Sequence, residues 1–267
     1  MSPTTSTPQP LLATRSLSIG YNPHTPILQD LNLSLRAGRI AVLIGGNGAG
    51  KSTLLRTLAG SLKPLAGEII INGTPLQGIP RSCLARLMAI VTTDPTMAGG
   101  LTVEETVAIG RQPYTGIFGR LSPQDREIVA EALRATGIDH KANQPLACLS
   151  DGERQKAMIA RALAQRTPLL LMDEPTSFLD VAARIRSMAL LRSLADNAAG
   201  RMSIIISTHD IAPALDIADD IWAFDPDNKT IIAGPKETII ASGALDVPFA
   251  RRGIRFDPTH LDYKPSK

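Results

Sequence analysis

The nine residues Gly45-Gly46-Asn47-Gly48-Ala49-Gly50-Lys51-Ser52-Thr53 limit what this chain can become more than any other stretch. They match G-x-x-x-x-G-K-[ST] in full, behind the apolar run Ile40–Ile44 and ahead of residues 54–58, whose composition is helical. Strand, glycine loop, helix is the order a phosphate-binding loop requires. Glycines let the backbone bend so that successive N–H groups converge on an anion, and the new helix adds the positive end of its dipole. Lys51 is placed to reach the outer phosphates of a nucleotide, and the Ser52 hydroxyl to ligate Mg²⁺. A glycine-rich turn with an incidental lysine is the competing reading; the flanking strand and helix argue against it.

With 267 residues the chain can bury one sizeable α/β core, so a single unit over 11–267 is expected after a disordered start at 1–10. That start is rich in Ser, Thr and Pro and lacks the apolar stretch of a signal peptide. No run approaches the ~18 apolar residues that cross a bilayer. A chain that is cytosolic by itself is expected, with any membrane role coming through a partner. Its 28 Lys and Arg exceed its 25 Asp and Glu by only 3, and they are scattered. Nucleic-acid binding needs a concentrated basic stripe and is not indicated. Cys83 and Cys148, the only cysteines, suit neither a disulfide framework nor a zinc site.

Along the chain, residues 11–21 and 27–35 read as an antiparallel hairpin with one wet face, Leu31, Leu33 and Leu35 alternating with Asn32 and Ser34. Tyr21 closes the first strand. Residues 67–73 form a β-branched strand running into an Asn-Gly turn. Thr102-x-x-Glu105, Ser122-Pro123 and Ser150-x-x-Glu153 are helix starts. Helices over 101–147 therefore form a lobe inserted between strands of the main sheet; with the helix from Ser150 it makes a helical subdomain of about 101–165. Between its helices, 111–121 reads as a surface loop. Asp180 caps a helix over Val181–Asp196, and the tail after 221 gives two strands, a short helix and a loosely patterned end.

Chemistry concentrates in the second half. Four apolar residues lead into Asp173-Glu174, which places two carboxylates at the C-terminal end of a buried strand, beside the phosphate loop of a parallel sheet. Asp173 suits a metal-side ligand, and Glu174 suits a group that polarises water. The alternative is that acidic residues simply end the strand. His209 ends another buried strand, where its ring either donates to a γ-phosphate oxygen or is structural. Ser150 opens a helix whose free N–H groups, with Gly152 nearby, suit either phosphate or a plain cap.

Together, Gly45 to Thr53, Leu149-Ser150-Asp151-Gly152-Glu153, the strand ending in Asp173-Glu174, Ser177-Phe178-Leu179-Asp180 and His209 resemble the ATP-binding cassette (ABC) ATPases in order and spacing. The resemblance covers about 11–235. It implies an α/β P-loop NTPase fold with a mixed central sheet, an N-terminal antiparallel β layer and the inserted helical subdomain. It implies ATP and Mg²⁺ as cofactors, with Gly45, Gly46, Asn47, Gly48, Ala49, Gly50, Lys51, Ser52 and Thr53 around the phosphates and Tyr21 stacked on adenine. Glu174 and His209 are then the catalytic pair, and Ser52, Asp173 and Thr93 serve the metal. Ser150, Gly152 and Asp180 belong to a head-to-tail homodimer that sandwiches ATP.

A finer likeness in 101–114 points to the cassettes of importers for iron–siderophores, haem and cobalamin. It implies two integral membrane permeases, an indirectly associated substrate-binding protein, and a peripheral place on the cytoplasmic face of the inner membrane. Two departures stand out: Asp151 occupies a position usually held by Gly, and Thr93 one usually held by Gln. They keep open a binding module without turnover. A soluble cassette acting in repair, translation or cluster assembly is the other alternative, although the coiled coils, zinc motifs or tandem cassette usual there are absent from this sequence.

Overall fold

Alternating burial builds the first layer of the computed structural model, which describes residues 9–92, 100–116, 119–177, 179–197 and 202–265. Positions 1–8 of the expected disordered start lie outside the described residues, as does Thr93. β1 (Leu12–Ile19) pairs antiparallel with β2 (Leu28–Leu31) and β3 (Ser34–Leu35). Leu31, Leu33 and Leu35 are buried while Asn32 and Ser34 are exposed, so the alternation holds. The single strand expected over 27–35 is broken, however. Thr14 Oγ1 donates to Leu31 O and accepts from Leu33 N, both at 2.8 Å, inserting a side chain where ladder bonds would run.

β4 (Ile40–Ile44) is completely buried and leads into α1 (Lys51–Leu58). β5 (Ala66–Ile71) returns to β1 and turns through Asn72 and Gly73, both at positive φ (47° and 79°), into β6 (Thr74–Pro75), the hairpin that Asn-Gly predicts. α2 (Arg81–Leu87) then precedes the edge strand β7 (Met88–Val91).

Three capping boxes start helices where the sequence places them. Thr102 opens α3 (Val103–Ala108), Ser122 opens α4 (Pro123–Thr136), and Ser150 opens α5 (Asp151–Ala164). A Cβ on Gly110 would lie 2.2 Å from Arg161 O, so only glycine lets the segment after α3 approach α5 this closely. Over its described part the segment 111–121 is largely exposed, as a surface loop would be, but it is anchored at its first residue. Arg111 is buried and pairs with Asp125 at 2.8 Å, because a guanidinium inside the lobe needs a carboxylate partner.

β8 (Leu169–Asp173), α6 (Val181–Asp196), β9 (Ser203–Ser207), α7 (Ile211–Ile217), β10 (Asp220–Asp225), β11 (Thr230–Pro235) and α8 (Lys236–Ala241) complete the core. α7 carries Pro213 in its first turn, where a missing N–H has no helical partner to lose. The end of the chain is better ordered than its pattern suggests. β12 (Ile254–Asp257) and β13 (Asp262–Pro265) form a hairpin whose Phe256 and Tyr263 pack edge-to-face. Burial pushes the Tyr263 phenol pKa up, and its O–H donates to Leu245 O at 2.7 Å.

The main sheet runs β11-β10-β4-β9-β8-β7, with β11 antiparallel to β10 and the others parallel. The expected mixed sheet and separate antiparallel layer are thus both present. One-residue alternation sorts the sheet between two cores. Ile40, Val42 and Ile44 face the cluster that includes α3, α4 and α5, whereas Ala41 and Leu43 face the cluster shared with α1 and β1. Burial on both faces, at about 1.5–3 kcal/mol per large aliphatic side chain, explains why these strands read as continuous apolar runs.

Candidate active site

Parallel pairing brings the candidate residues to one edge. The loop after β4, Asp173-Glu174 after β8 and Thr208-His209 after β9 all leave the sheet at its C-terminal end, where open α/β sheets hold ligands. Helix α1 starts with no side-chain cap, unlike α3, α4, α5 and α6, and has no acidic residue in its first turn, unlike α3, α4 and α5. Its first N–H groups are therefore available to an anion. Gly50 holds a φ of 103° at that start, and a Cβ there would lie 2.6 Å from Ile27 Cγ2. Lys51 is buried, and its ammonium donates to Gly45 O at 2.7 Å and Gly46 O at 3.1 Å. The cation thus rests on the carbonyls of its own loop.

The two carboxylates are organised by a residue that sequence reasoning missed. Ser207, opposite Asp173 in register, donates its hydroxyl to Asp173 Oδ1 at 2.6 Å. The Glu174 N–H donates both to Ser207 O (3.0 Å) and to Ser207 Oγ (3.1 Å). A buried serine at the C-terminal end of a strand whose middle is three isoleucines was the available signal. Glu174 sits at φ 47°, a left-handed conformation that costs a non-glycine residue about 1–3 kcal/mol and is concentrated at functional sites. Its Oε1 lies 2.5 Å from His209 Nε2, and its Oε2 accepts from Ser177 Oγ at 3.1 Å. A carboxylate and an imidazole in contact at the mouth of the phosphate loop suit proton handling on water.

Metal ligands fit a shared rather than a self-sufficient site. Among the described residues no group of three or more His, Cys, Asp and Glu gathers to hold an ion. Mg²⁺ takes hard oxygens, one or two carboxylates together with substrate phosphates, and the Ser52 hydroxyl and Asp173 carboxylate are donors of that kind.

The remaining candidates lie apart from this cluster. Tyr21 is 67% exposed beyond the end of β1. Asp180 caps α6, its Oδ1 accepting from Ala183 N at 2.7 Å. Ser150 caps α5 and exchanges hydrogen bonds with Glu153. Among the described residues no hydrogen bond joins Ser150 or Gly152 to the phosphate loop. Asp151 accepts from Arg154 Nη1 at 2.8 Å, so the carboxylate in the usual glycine position has a cation beside it.

Lys141 beside Glu153, helped by the Ser150 N–H and hydroxyl, holds the Glu153 carboxyl down at about 2. A depressed folded pKa means that the stabilisation is present above the ordinary value and lost as pH falls through the folded one. The cap on α5 therefore loosens as pH drops from 4.5 toward about 2. An NMR titration of the Glu153 carboxylate checks this; a midpoint at the ordinary value would mean that the cap and the Lys141 pair do not form.

Residues 28–177 match the family model described as ABC transporter. The iron(3+)-hydroxamate import ATP-binding protein FhuC of Bacillus subtilis is 42% identical over 237 residues, 88% of this chain and 83% of that protein. The achromobactin transport ATP-binding protein CbrD of Dickeya dadantii is 41% identical over 234 residues, 88% and 85% of the two chains. This chain belongs to the ABC transporter family. Among solved structures, cbiO1 of Clostridium perfringens, part of the cbiONQ transporter complex, aligns with a TM-score of 0.73 at 28% identity, covering 91% of this chain and 97% of that one. A dimeric ATP-binding cassette in a post-hydrolysis state with ADP and Pi shares the fold, with a TM-score of 0.74 at 24% identity over 84% and 98% of the chains. As a member of the family, the chain is an ABC-type ATPase that binds and hydrolyses ATP.

Proposed function

We propose that this ABC ATPase, one catalytic unit over 11–267 with its helical subdomain at about 101–165, drives a membrane importer for iron–siderophore, haem or cobalamin. The contact between Glu174 and His209 at the phosphate-loop edge carries the hydrolytic half of this reading. The carrier half is supported by relatives whose names state transport of iron hydroxamate and achromobactin, and by two named for cobalamin import.

In this reading the nucleotide phosphates take over the N–H groups of 45–53 and draw the Lys51 ammonium off Gly45 O and Gly46 O. Glu174 orients and deprotonates the attacking water, and His209 donates to a γ-phosphate oxygen. Ser52, Asp173 and Thr93 would hold Mg²⁺, which when bound would neutralise charge on the phosphates. Tyr21 supplies an exposed face for adenine. Ser150 and Gly152 act on the ATP of a second copy, and Asp180 lies in the same interface. The exposed apolar pair Val181 and Ile185, one turn apart beside Asp180, supports burial there against a sister chain.

A groove of about 810 Å³ between α2, the segment after α3 and the end of α5, lined by Arg81, Ala85, Gln112, Pro113, Arg161 and Gln165, is where each membrane permease docks. Among the described residues no helix is long and apolar enough to cross a membrane, so the cassette reaches the inner-membrane face through those permeases. Affinity purification of the tagged chain from detergent-solubilised membranes tests this. Two integral membrane subunits in stoichiometric yield are expected. Recovery without any such subunit would favour a soluble cassette.

A further inference from the structure

One guanidinium joins the three turns that carry the candidate catalytic groups. Arg184, in the first turn of α6, donates from Nη1 to Asp210 Oδ1 at 2.5 Å and from Nη2 to Leu179 O at 3.3 Å. The second oxygen of Asp210 accepts from Thr176 Oγ1 at 3.0 Å, and the Asp210 N–H donates to Thr208 Oγ1 at 3.0 Å. Asp210 directly follows His209, Thr176 lies two residues beyond Glu174, and Leu179 precedes Asp180. Arg184 Nε is buried and makes no hydrogen bond among the described residues, so two terminal nitrogens alone hold the fork.

We propose that Arg184 is a positioning residue that makes the placement of His209 depend on where the Leu179-Asp180 turn sits. The inference rests on the reading of Glu174 and His209 as the hydrolytic pair. Its physics is that of a planar fork. A guanidinium binds two acceptors in fixed relative directions, so a shift of one acceptor is passed to the other. The bond to Asp210 is short and charge-assisted, whereas the bond to the Leu179 carbonyl is long. A displaced Leu179-Asp180 turn therefore breaks or tightens the weaker contact first. The change reaches the His209 peptide through the stronger one. Asp210 is held in turn by Thr176, so the same displacement is felt beside Glu174. Phosphate-loop residues take no part in the network, and nucleotide affinity is spared.

Steady-state ATP hydrolysis and thermal unfolding of the purified full chain test this, for the parent, Arg184→Ala, Arg184→Lys and Glu174→Gln. Arg184→Ala is expected to lower kcat by about tenfold with KM for ATP changed by less than about twofold. Arg184→Lys, whose ammonium still reaches the Asp210 carboxylate, is expected to recover part of that rate. A parental kcat in Arg184→Ala beside an inactive Glu174→Gln overturns the inference and leaves the hydrolytic reading standing. A parental rate in Glu174→Gln removes that reading and the inference with it. A kcat loss matched by a rise in KM or by a large fall in Tm, or a Lys variant no better than Ala, makes the role merely structural and also overturns it. Should Arg184→Ala fail to fold, Asp210→Asn, which keeps size and removes only the charge, carries the same comparison of kcat with KM.

Discussion

Replacing Glu174 by Gln lowers ATP turnover by about 10²–10⁴-fold while nucleotide binding survives. The amide keeps the size of the carboxylate but cannot accept a proton from water. The contact with His209 Nε2, 2.5 Å from Oε1 in the resting protein, persists only as a neutral hydrogen bond. Lys51 and the loop N–H groups are untouched, so ATP still enters and remains unhydrolysed. If the proposed head-to-tail dimer forms around ATP, trapped ATP is expected to hold the two copies together, because the hydrolysis that would separate them no longer occurs. Phosphate release and size-exclusion chromatography with and without Mg-ATP read both consequences. Turnover within about tenfold of the parent would remove Glu174 from the chemistry.

The second large effect is on the fold. Arg111→Ala destabilises the protein by about 3–5 kcal/mol, the usual cost of leaving one member of a buried ion pair without its partner. Arg111 and Asp125 side chains are only 7% and 11% exposed, and the loss is threefold. Asp125 loses its guanidinium. The Ala164 carbonyl, which accepts from Arg111 Nη1 at 2.7 Å, loses its donor. The Tyr114 ring loses a cation 4.1 Å from its centroid, and with it support for the Tyr114 hydroxyl that donates to Gln165 O. Hydrogen bonds from the Ser122 hydroxyl and then from Arg111 hold the Asp125 pKa down at about 2, which marks how fully the charged form is committed. At roughly 2–4 °C per kcal/mol for a chain of this size, Tm falls by about 6–20 °C in a calorimetric scan. A shift below about 2 °C would mean that the pair is not buried in solution.

The importer reading and the Arg184 inference share a physical theme. In each the reacting groups sit on short turns at the end of a rigid sheet, and their placement is set by contacts from outside those turns. Ser207 fixes Asp173 and the Glu174 N–H across 34 and 33 residues of sequence. Arg184 reaches Asp210 across 26. In the proposed dimer, such contacts would let the candidate catalytic groups respond to a neighbouring chain.

Local physics made the elements readable. The Asn72-Gly73 turn, the three capping boxes, the Asp180 cap and the doubly buried strands depend on residues within a few positions of one another, and each stands where its pattern puts it. The same short-range logic marked the glycine loop and the strand ending in Asp173-Glu174 as the candidates to propose. It failed where a distant partner decided. Thr14 broke the strand expected over 27–35, Asp125 drew Arg111 into the lobe, and the aromatic contacts of Phe249, Phe256 and Tyr263 ordered a tail that has no periodic pattern.

What the residues by themselves determined is the set of elements and the chemistry each one carries, because caps, turns and alternation act over one or two turns of chain. Which of them meet was decided only in three dimensions. The order β4-β9-β8 sets Ser207 between the phosphate-loop strand and the carboxylate strand and brings His209 to Glu174. No local pattern encodes that order, since strand neighbours in a parallel sheet are chosen by how the connecting helices pack.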